Sequence, residues 1–179
     1  IGIWAEQQIR FSAARHLFEG VGNHLFDPNG SMTRGMFVTV LHRMVGCPAP
    51  KAASDFKDVP KGIWYEKAVA WASENGIVEG YSNDMFAPDD LTTREQMCAL
   101  FARYLRYAKY ELPGQTQPRT FADEQDISAW AKDDMNLCHS IGLIQGRPGN
   151  LSAPRDNASR AEGTAVFARL IRTIIETKK

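Results

Sequence analysis

What this sequence has little of narrows its possible roles quickly. Cysteine occurs three times in 179 residues, at Cys47, Cys98 and Cys138, and never as CxxC. That is too few and too scattered for a disulfide framework. Each can serve as a small buried apolar residue, and one disulfide with a leftover thiol is the other arrangement open. The four histidines, His16, His24, His42 and His139, fall in no HxxxH, HxxH or HExxH spacing. A zinc site is therefore without support, and neither metal nor cofactor is expected. Charge of one sign is not in excess, since 21 Lys+Arg meet 21 Asp+Glu. A protein that neutralises many phosphates along a duplex carries a basic surplus, so nucleic acid is not an expected partner. No apolar run approaches the roughly 18–20 residues of a membrane span.

Catalytic patterns are missing as well. There is no Walker loop, no GxGxxG and no GxSxG elbow around Ser31, Ser82 or Ser152. Asp89-Asp90 and Asp133-Asp134 are adjacent pairs, which read as capping and solvation residues and not as an acid–base couple. Asp27-Pro28-Asn29-Gly30-Ser31 has its Gly too early for a calcium loop, and Val38 stands where the twelfth-position Glu belongs. The chain is expected to be non-catalytic. Ile1 stands first without Met or leader, which suggests a fragment, a processed product or a trimmed chain, so the missing leader says nothing about compartment.

What is present is enough apolar material for a core, at 44% hydrophobic residues, and a repeat. Shifts of 60 and then 66 residues superimpose three copies. Trp4, Trp64 and Trp130 coincide; Gly20, Gly80 and Gly146 follow sixteen residues later, and Pro28, Pro88 and Pro154 eight after that. Thr33-Arg34, Thr93-Arg94 and Ser159-Arg160 come next at a constant spacing. Each copy reads as helix, loop, helix. The first helix starts near the Trp and runs about twelve residues, with Ile9 and Phe11, Val69 and Trp71, Met135 and Leu137 at matching apolar offsets. Leu17-Phe18, Ile77-Val78 and Leu143-Ile144 lead into Gly/Asn/Asp/Ser-rich loops. The Gly after each pair suits a chain leaving helical geometry or approaching another backbone.

The second helix opens on an N-cap. Thr93 with Gln96 and Ser159 with Glu162 form capping boxes, while Met36 leaves copy one with the cap alone. Phe37, Val40, Leu41 and Met44 then step with helical period, as do Met97, Leu100, Phe101 and Tyr104. Val166, Phe167, Leu170, Ile171, Ile174 and Ile175 do the same in a longer third helix. Copies two and three carry a lead-in, Phe56-Lys57-Asp58 and Phe121-Ala122-Asp123, and Asp58 or Asp126 is expected to help start the first helix. The copies span 1–46, 55–112 and 120–179, joined by linkers 47–54 and 113–119. One helix pair cannot bury its face alone, so the expectation is an all-α, pseudo-threefold-symmetric single body, monomeric and pseudo-trimeric within one chain.

These residues carry a resemblance. Phe56-Lys57-Asp58-Val59-Pro60, Trp64-Tyr65-Glu66-Lys67-Ala68-Val69, Asn75-Gly76-Ile77-Val78-Glu79-Gly80, Phe86-Ala87-Pro88 and Leu91-Thr92-Thr93-Arg94-Glu95-Gln96 together resemble one complete S-layer homology repeat. The other two copies are similar to it. The resemblance implies a secreted bacterial surface protein held to the cell wall through secondary wall polysaccharide attached to peptidoglycan. The terminal sugar is often a pyruvylated N-acetylmannosamine.

A pyruvate ketal carries a carboxylate, so its receptor needs a cation, oriented N–H groups and an apolar wall. The helix N-termini are expected to supply unpaired N–H groups, and Arg34, Arg94 and Arg160 a planar fork suited to carboxylate. Trp4, Trp64 and Trp130 are expected to offer faces to sugar, with Gly20, Gly80 and Gly146 allowing close backbone approach. The plain counterparts are a surface Arg paired with an acid, a Trp wedged in the core or between repeats, and a Gly kept for backbone reasons. Copy two alone keeps the whole pattern, so the groove built on Arg94 is expected to be the safest. A helical scaffold that binds a protein or itself is the alternative. A remoter one is a fragment that positions a catalytic domain elsewhere in its parent.

Overall fold

The computed structural model describes residues 4–81, 84–110 and 120–177. The expected linker 113–119, Ser82 and the side chain of Ile175 lie outside the described residues. Each copy supplies a short helix, a loop and a longer helix: α1 (Glu6–Ala13) and α2 (Arg34–Met44), α3 (Glu66–Glu74) and α4 (Arg94–Ala108), α5 (Lys132–Ser140) and α6 (Arg160–Thr177). Among the described residues there is no sheet, and the all-α expectation holds.

The first helices are shorter than the twelve residues expected, at 8, 9 and 9. The cause lies twelve residues past each Trp, where the chain turns left-handed: His16, Gly76 and Gly142 have φ of +54°, +66° and +71°. Such a residue ends a helix, four positions before the Gly that marks the repeat. The amides of Leu17, Ile77 and Leu143 then fold back onto Ser12, Ala72 and Cys138 carbonyls at 3.0, 2.8 and 2.8 Å, burying all three apolar pairs.

The second helices begin as expected. Gln96 N–H donates to Thr93 Oγ1 while Thr93 N–H donates to Gln96 Oε1, and Ser159 with Glu162 does the same. In copy one only Met36 N–H to Thr33 Oγ1 is made. Among the expected stripe residues Phe37, Leu41, Met97, Phe101 and Phe167 are wholly buried.

A closed ring ties the copies. The residue before each cap donates to its counterpart in another copy: Met32 to Ala158, Ala158 to Thr92, and Thr92 to Met32, each at 2.9 Å. Around this ring α2 packs on α3, α4 on α5 and α6 on α1. Phe37, Phe101 and Phe167 meet one another at ring-centroid distances of 4.9, 5.2 and 4.8 Å. Each buried ring contributes about 1.5–3 kcal/mol by desolvation, with about 0.5–1.5 kcal/mol more per favourable ring pair.

Asp58 does not start α3. Its carboxylate crosses to the loop and accepts the Phe86 and Ala87 amides at 2.8 and 2.6 Å. Asp123 accepts those of Ser152 and Ala153 at 2.8 and 2.7 Å. Ala87 and Ala153 are left-handed, at φ +56° and +48°, so each carboxylate braces a turn that an L-residue disfavours.

Candidate functional site

The ring brings the nine predicted residues into three grooves, each built from all three copies. Groove 1 holds Gly20 of copy one, Trp64 of copy two and Arg160 of copy three, in about 340 Å³. Groove 2 holds Gly80, Trp130 and Arg34 in about 180 Å³. Groove 3 holds Gly146, Trp4 and Arg94 in about 360 Å³. The larger two reach the lower end of the range of small-molecule sites.

Each Arg bridges to a neighbouring copy through the same two atoms. Nε donates to Phe86, Ser152 and Phe26 carbonyls from Arg34, Arg94 and Arg160, at 2.9, 2.9 and 2.8 Å. Nη2 donates to Glu79, Gln145 and Glu19 carbonyls, at 3.1, 3.0 and 2.7 Å. The guanidinium groups are not surface residues: only 7%, 3% and 6% of these arginines is exposed. Burial pushes all three below their ordinary pKa, though arginine remains charged. Arg34 also lies 4.7 Å from the Tyr81 ring centroid, and Arg160 the same distance from that of Phe26.

The remaining nitrogen, Nη1, separates the grooves. Among the described residues it makes no protein hydrogen bond in Arg34 or Arg160. In Arg94 it donates to Glu162 Oε1 at 2.8 Å, and Arg147 meets the same carboxylate at 3.0 Å. Copy two matches the repeat pattern best, yet its Arg is the one whose Nη1 is taken, because the partner acid comes from copy three.

One further expectation changes. The helix N-termini do not offer their amides: Arg34 and Gly35 donate to Asp90 and Pro88, Arg94 and Glu95 to Asp156 and Pro154, Arg160 and Ala161 to Gly30 and Pro28. The third amide of each goes to its cap. Neighbouring loops have already filled the positions where an anion would sit. The tryptophans are not core wedges, because Trp4, Trp64 and Trp130 are 64%, 57% and 56% exposed. Their buried neighbours Ala5, Tyr65 and Ala131 hold the packing position instead. The glycines are required by close approach. A Cβ on Gly20 would sit 2.6 Å from the Leu25 carbonyl, and one on Gly80 2.8 Å from that of Met85 and against the Phe56 ring.

A second arginine in each groove is not marked by the Trp–Gly–Pro–Arg register. Arg43, Arg103 and Arg169 stand nine residues beyond Arg34, Arg94 and Arg160 and line grooves 1, 2 and 3, each beside the buried Arg of another copy. Their common spacing was the available signal, hidden within a helix read for its apolar face. Among the described residues no cluster of His, Cys, Asp and Glu could hold a metal ion, and no helix is long and apolar enough to cross a membrane.

Residues 55–98 and 120–162, which lie within the second and third copies, match the S-layer homology domain family. The chain is 34% identical over 171 residues to an amylopullulanase of Thermoanaerobacterium thermosulfurigenes, covering 94% of this chain and 9% of that protein. It is 33% identical over 171 residues to exoglucanase XynX of Acetivibrio thermocellus, covering 94% and 15%. To the surface-layer 125 kDa protein of Lysinibacillus sphaericus it is 27% identical over 179 residues, covering 98% and 15%. The chain thus spans well under a fifth of the length of these relatives.

Proposed function

With two S-layer homology domains as premise, we propose that the chain is a non-catalytic module that anchors a larger protein to the bacterial cell wall by gripping an acidic sugar in its inter-copy grooves. Those domains and the surface-layer relatives place it at the cell surface. The carrying observation is that Arg, Trp and Gly, far apart in every copy, converge three times into one groove type. The first copy, by the same register, is a third repeat of the kind, and the boundaries 1–46, 55–112 and 120–179 follow.

The ligand is a secondary wall polysaccharide ending in a pyruvylated N-acetylmannosamine. Its carboxylate meets the Nη1 of Arg34 or Arg160, with Arg103 or Arg43 beside it. Its ring lies on the open indole, an apolar wall that keeps its other side in water. Grooves 1 and 2 leave the Nη1 of their buried arginine to the ligand, whereas in groove 3 Glu162 already holds that of Arg94. In the enzymes it resembles, such a module would hold a catalytic part at the wall, and it acts as a monomer.

The test is retention on purified wall sacculi before and after chemical removal of the attached polymer. Anchoring requires retention to be lost with the polymer. Equal retention on both would overturn it, and that is also the outcome expected of a protein-binding scaffold.

A further inference from the structure

We propose that Glu19 and Glu79 are displaceable placeholders that hold Arg43 and Arg103 ready for the acid group of an incoming sugar and turn neutral sugars away. This rests on the acidic-carbohydrate reading of grooves 1 and 2 and adds how those grooves select their ligand. Arg43 Nη2 lies 2.8 Å from Glu19 Oε1, and Arg103 Nη2 lies 3.2 Å from Glu79 Oε2. The two acids occupy one register position, directly before Gly20 and Gly80.

Both pairs are lopsided. The arginine side chains are 26% and 31% exposed, whereas the glutamates are 76% and 74% exposed. Arg43 is also fastened through Nη1 to the Leu17 carbonyl. The main chain of each glutamate is pinned, because its carbonyl accepts the buried Arg160 or Arg34 of the same groove. Only the acid's side chain is free to leave, and its destination is water. An exposed ion pair of this kind is weak, equivalent to at most about a fivefold preference. A ligand carboxylate can replace it like for like. A sugar hydroxyl cannot, since it would separate the pair and return no negative charge to the arginine.

Groove 3 is arranged differently. Arg169 faces the neutral Gln145 Oε1 at 3.2 Å, and the acid of that groove, Glu162, sits on Arg94. The removable acid therefore belongs to grooves 1 and 2, where among the described residues the Nη1 of the buried Arg makes no protein hydrogen bond.

The experiment is calorimetric titration of the whole chain with a pyruvylated N-acetylmannosamine methyl glycoside and with the same glycoside lacking pyruvate. Two variants are compared with wild type: Glu19→Gln with Glu79→Gln, and Arg43→Gln with Arg103→Gln. Circular dichroism and urea midpoints verify that both remain folded. The expected result is acidic-glycoside binding about two- to fivefold tighter in the first and at least fivefold weaker in the second. The neutral glycoside also gains affinity from the glutamate change, because the ion pair that turned it away no longer has to be broken. A purely structural salt bridge would move both variants in the same direction. If wild type binds the acidic glycoside while the glutamate variant binds it equally or more weakly, the placeholder role is overturned and the grooves stand. If wild type fails to bind it, the ligand reading fails and the placeholder falls with it.

Discussion

Arg94 Nη1 donates to Glu162 Oε1 at 2.8 Å, and among the described residues neither Arg34 nor Arg160 makes an ion pair with an acid. Glu162 occupies the third position of its helix, where Gln96 and Met36 stand in the other copies. That position closes a capping box, and it also projects into the groove of the preceding copy's arginine. One residue thus sets both a helix start and the charge of a groove. Glu162→Gln keeps an acceptor for the Ser159 amide and removes the charge. The expected outcome is a tighter or additional site in calorimetric titration with acidic glycoside; unchanged stoichiometry and affinity would show that Arg94 is idle for another reason.

The buried arginines join copies before they meet any ligand. Arg34→Gln, Arg94→Gln or Arg160→Gln leaves two buried carbonyls without their charged donor, at a cost of about 2–4 kcal/mol each. Urea unfolding should show the loss directly. A charge reversal at Arg94 would therefore lower stability together with binding, so loss of wall retention in that variant would not isolate the groove.

The groove tryptophans separate the two properties. Their side chains are open to water, so Trp64→Ala or Trp130→Ala should change stability by no more than about 0.5 kcal/mol. Wall binding should fall about tenfold or more if the indole is a contact residue. Retention assays beside urea midpoints check both halves of the expectation.

Gly80 has no room for a side chain. Gly80→Ala places a methyl against the Met85 carbonyl and the Phe56 ring, and a backbone carbonyl cannot move aside cheaply. Destabilisation of about 1–3 kcal/mol is expected from overpacking, read as a lower melting temperature. Gly76→Ala, by contrast, meets no atoms but must hold φ +66°, so its cost is conformational.

Acid should weaken the third copy. Burial raises the pKa of Asp123, but the Ser152 and Ala153 amides and the Ser152 hydroxyl outweigh it, and the carboxyl ends below its ordinary value. A depressed folded-state pKa means that its stabilisation is complete above the ordinary carboxylate range and is lost as pH falls through the folded value. Urea unfolding of wild type should therefore lose stability below about pH 4. Asp123→Asn should begin less stable and lose less over the same interval.

The architecture was legible because it is written three times. Trp, Gly, Pro and Arg at fixed spacing, with caps before apolar stripes, gave six helices and their approximate starts. Helix ends were not legible, since His16 masks the left-handed position that Gly76 and Gly142 mark. At the grooves the register identified residues but not their surroundings. Whether a helix N-terminus is free depends on a loop from another copy, as the Pro88 carbonyl on Gly35 shows. A periodic Trp looks like core by composition, and only the packing of Tyr65 in its place turns Trp64 outward. Arg43, Arg103 and Arg169 were visible as a repeat but gain meaning only opposite Glu19, Glu79 and Gln145.

The proposed binding of an acidic wall sugar in the inter-copy grooves can be followed with probes that the chain itself carries. Three indoles line grooves, while Trp71 is buried beside His42. Nuclear magnetic resonance of the four indole N–H groups during titration with a pyruvylated N-acetylmannosamine glycoside should shift Trp64, Trp130 or both, and leave Trp71 in place. Saturating glycoside that moves none of Trp4, Trp64 and Trp130, while the chain still sediments with polymer-bearing sacculi, would contradict the groove site.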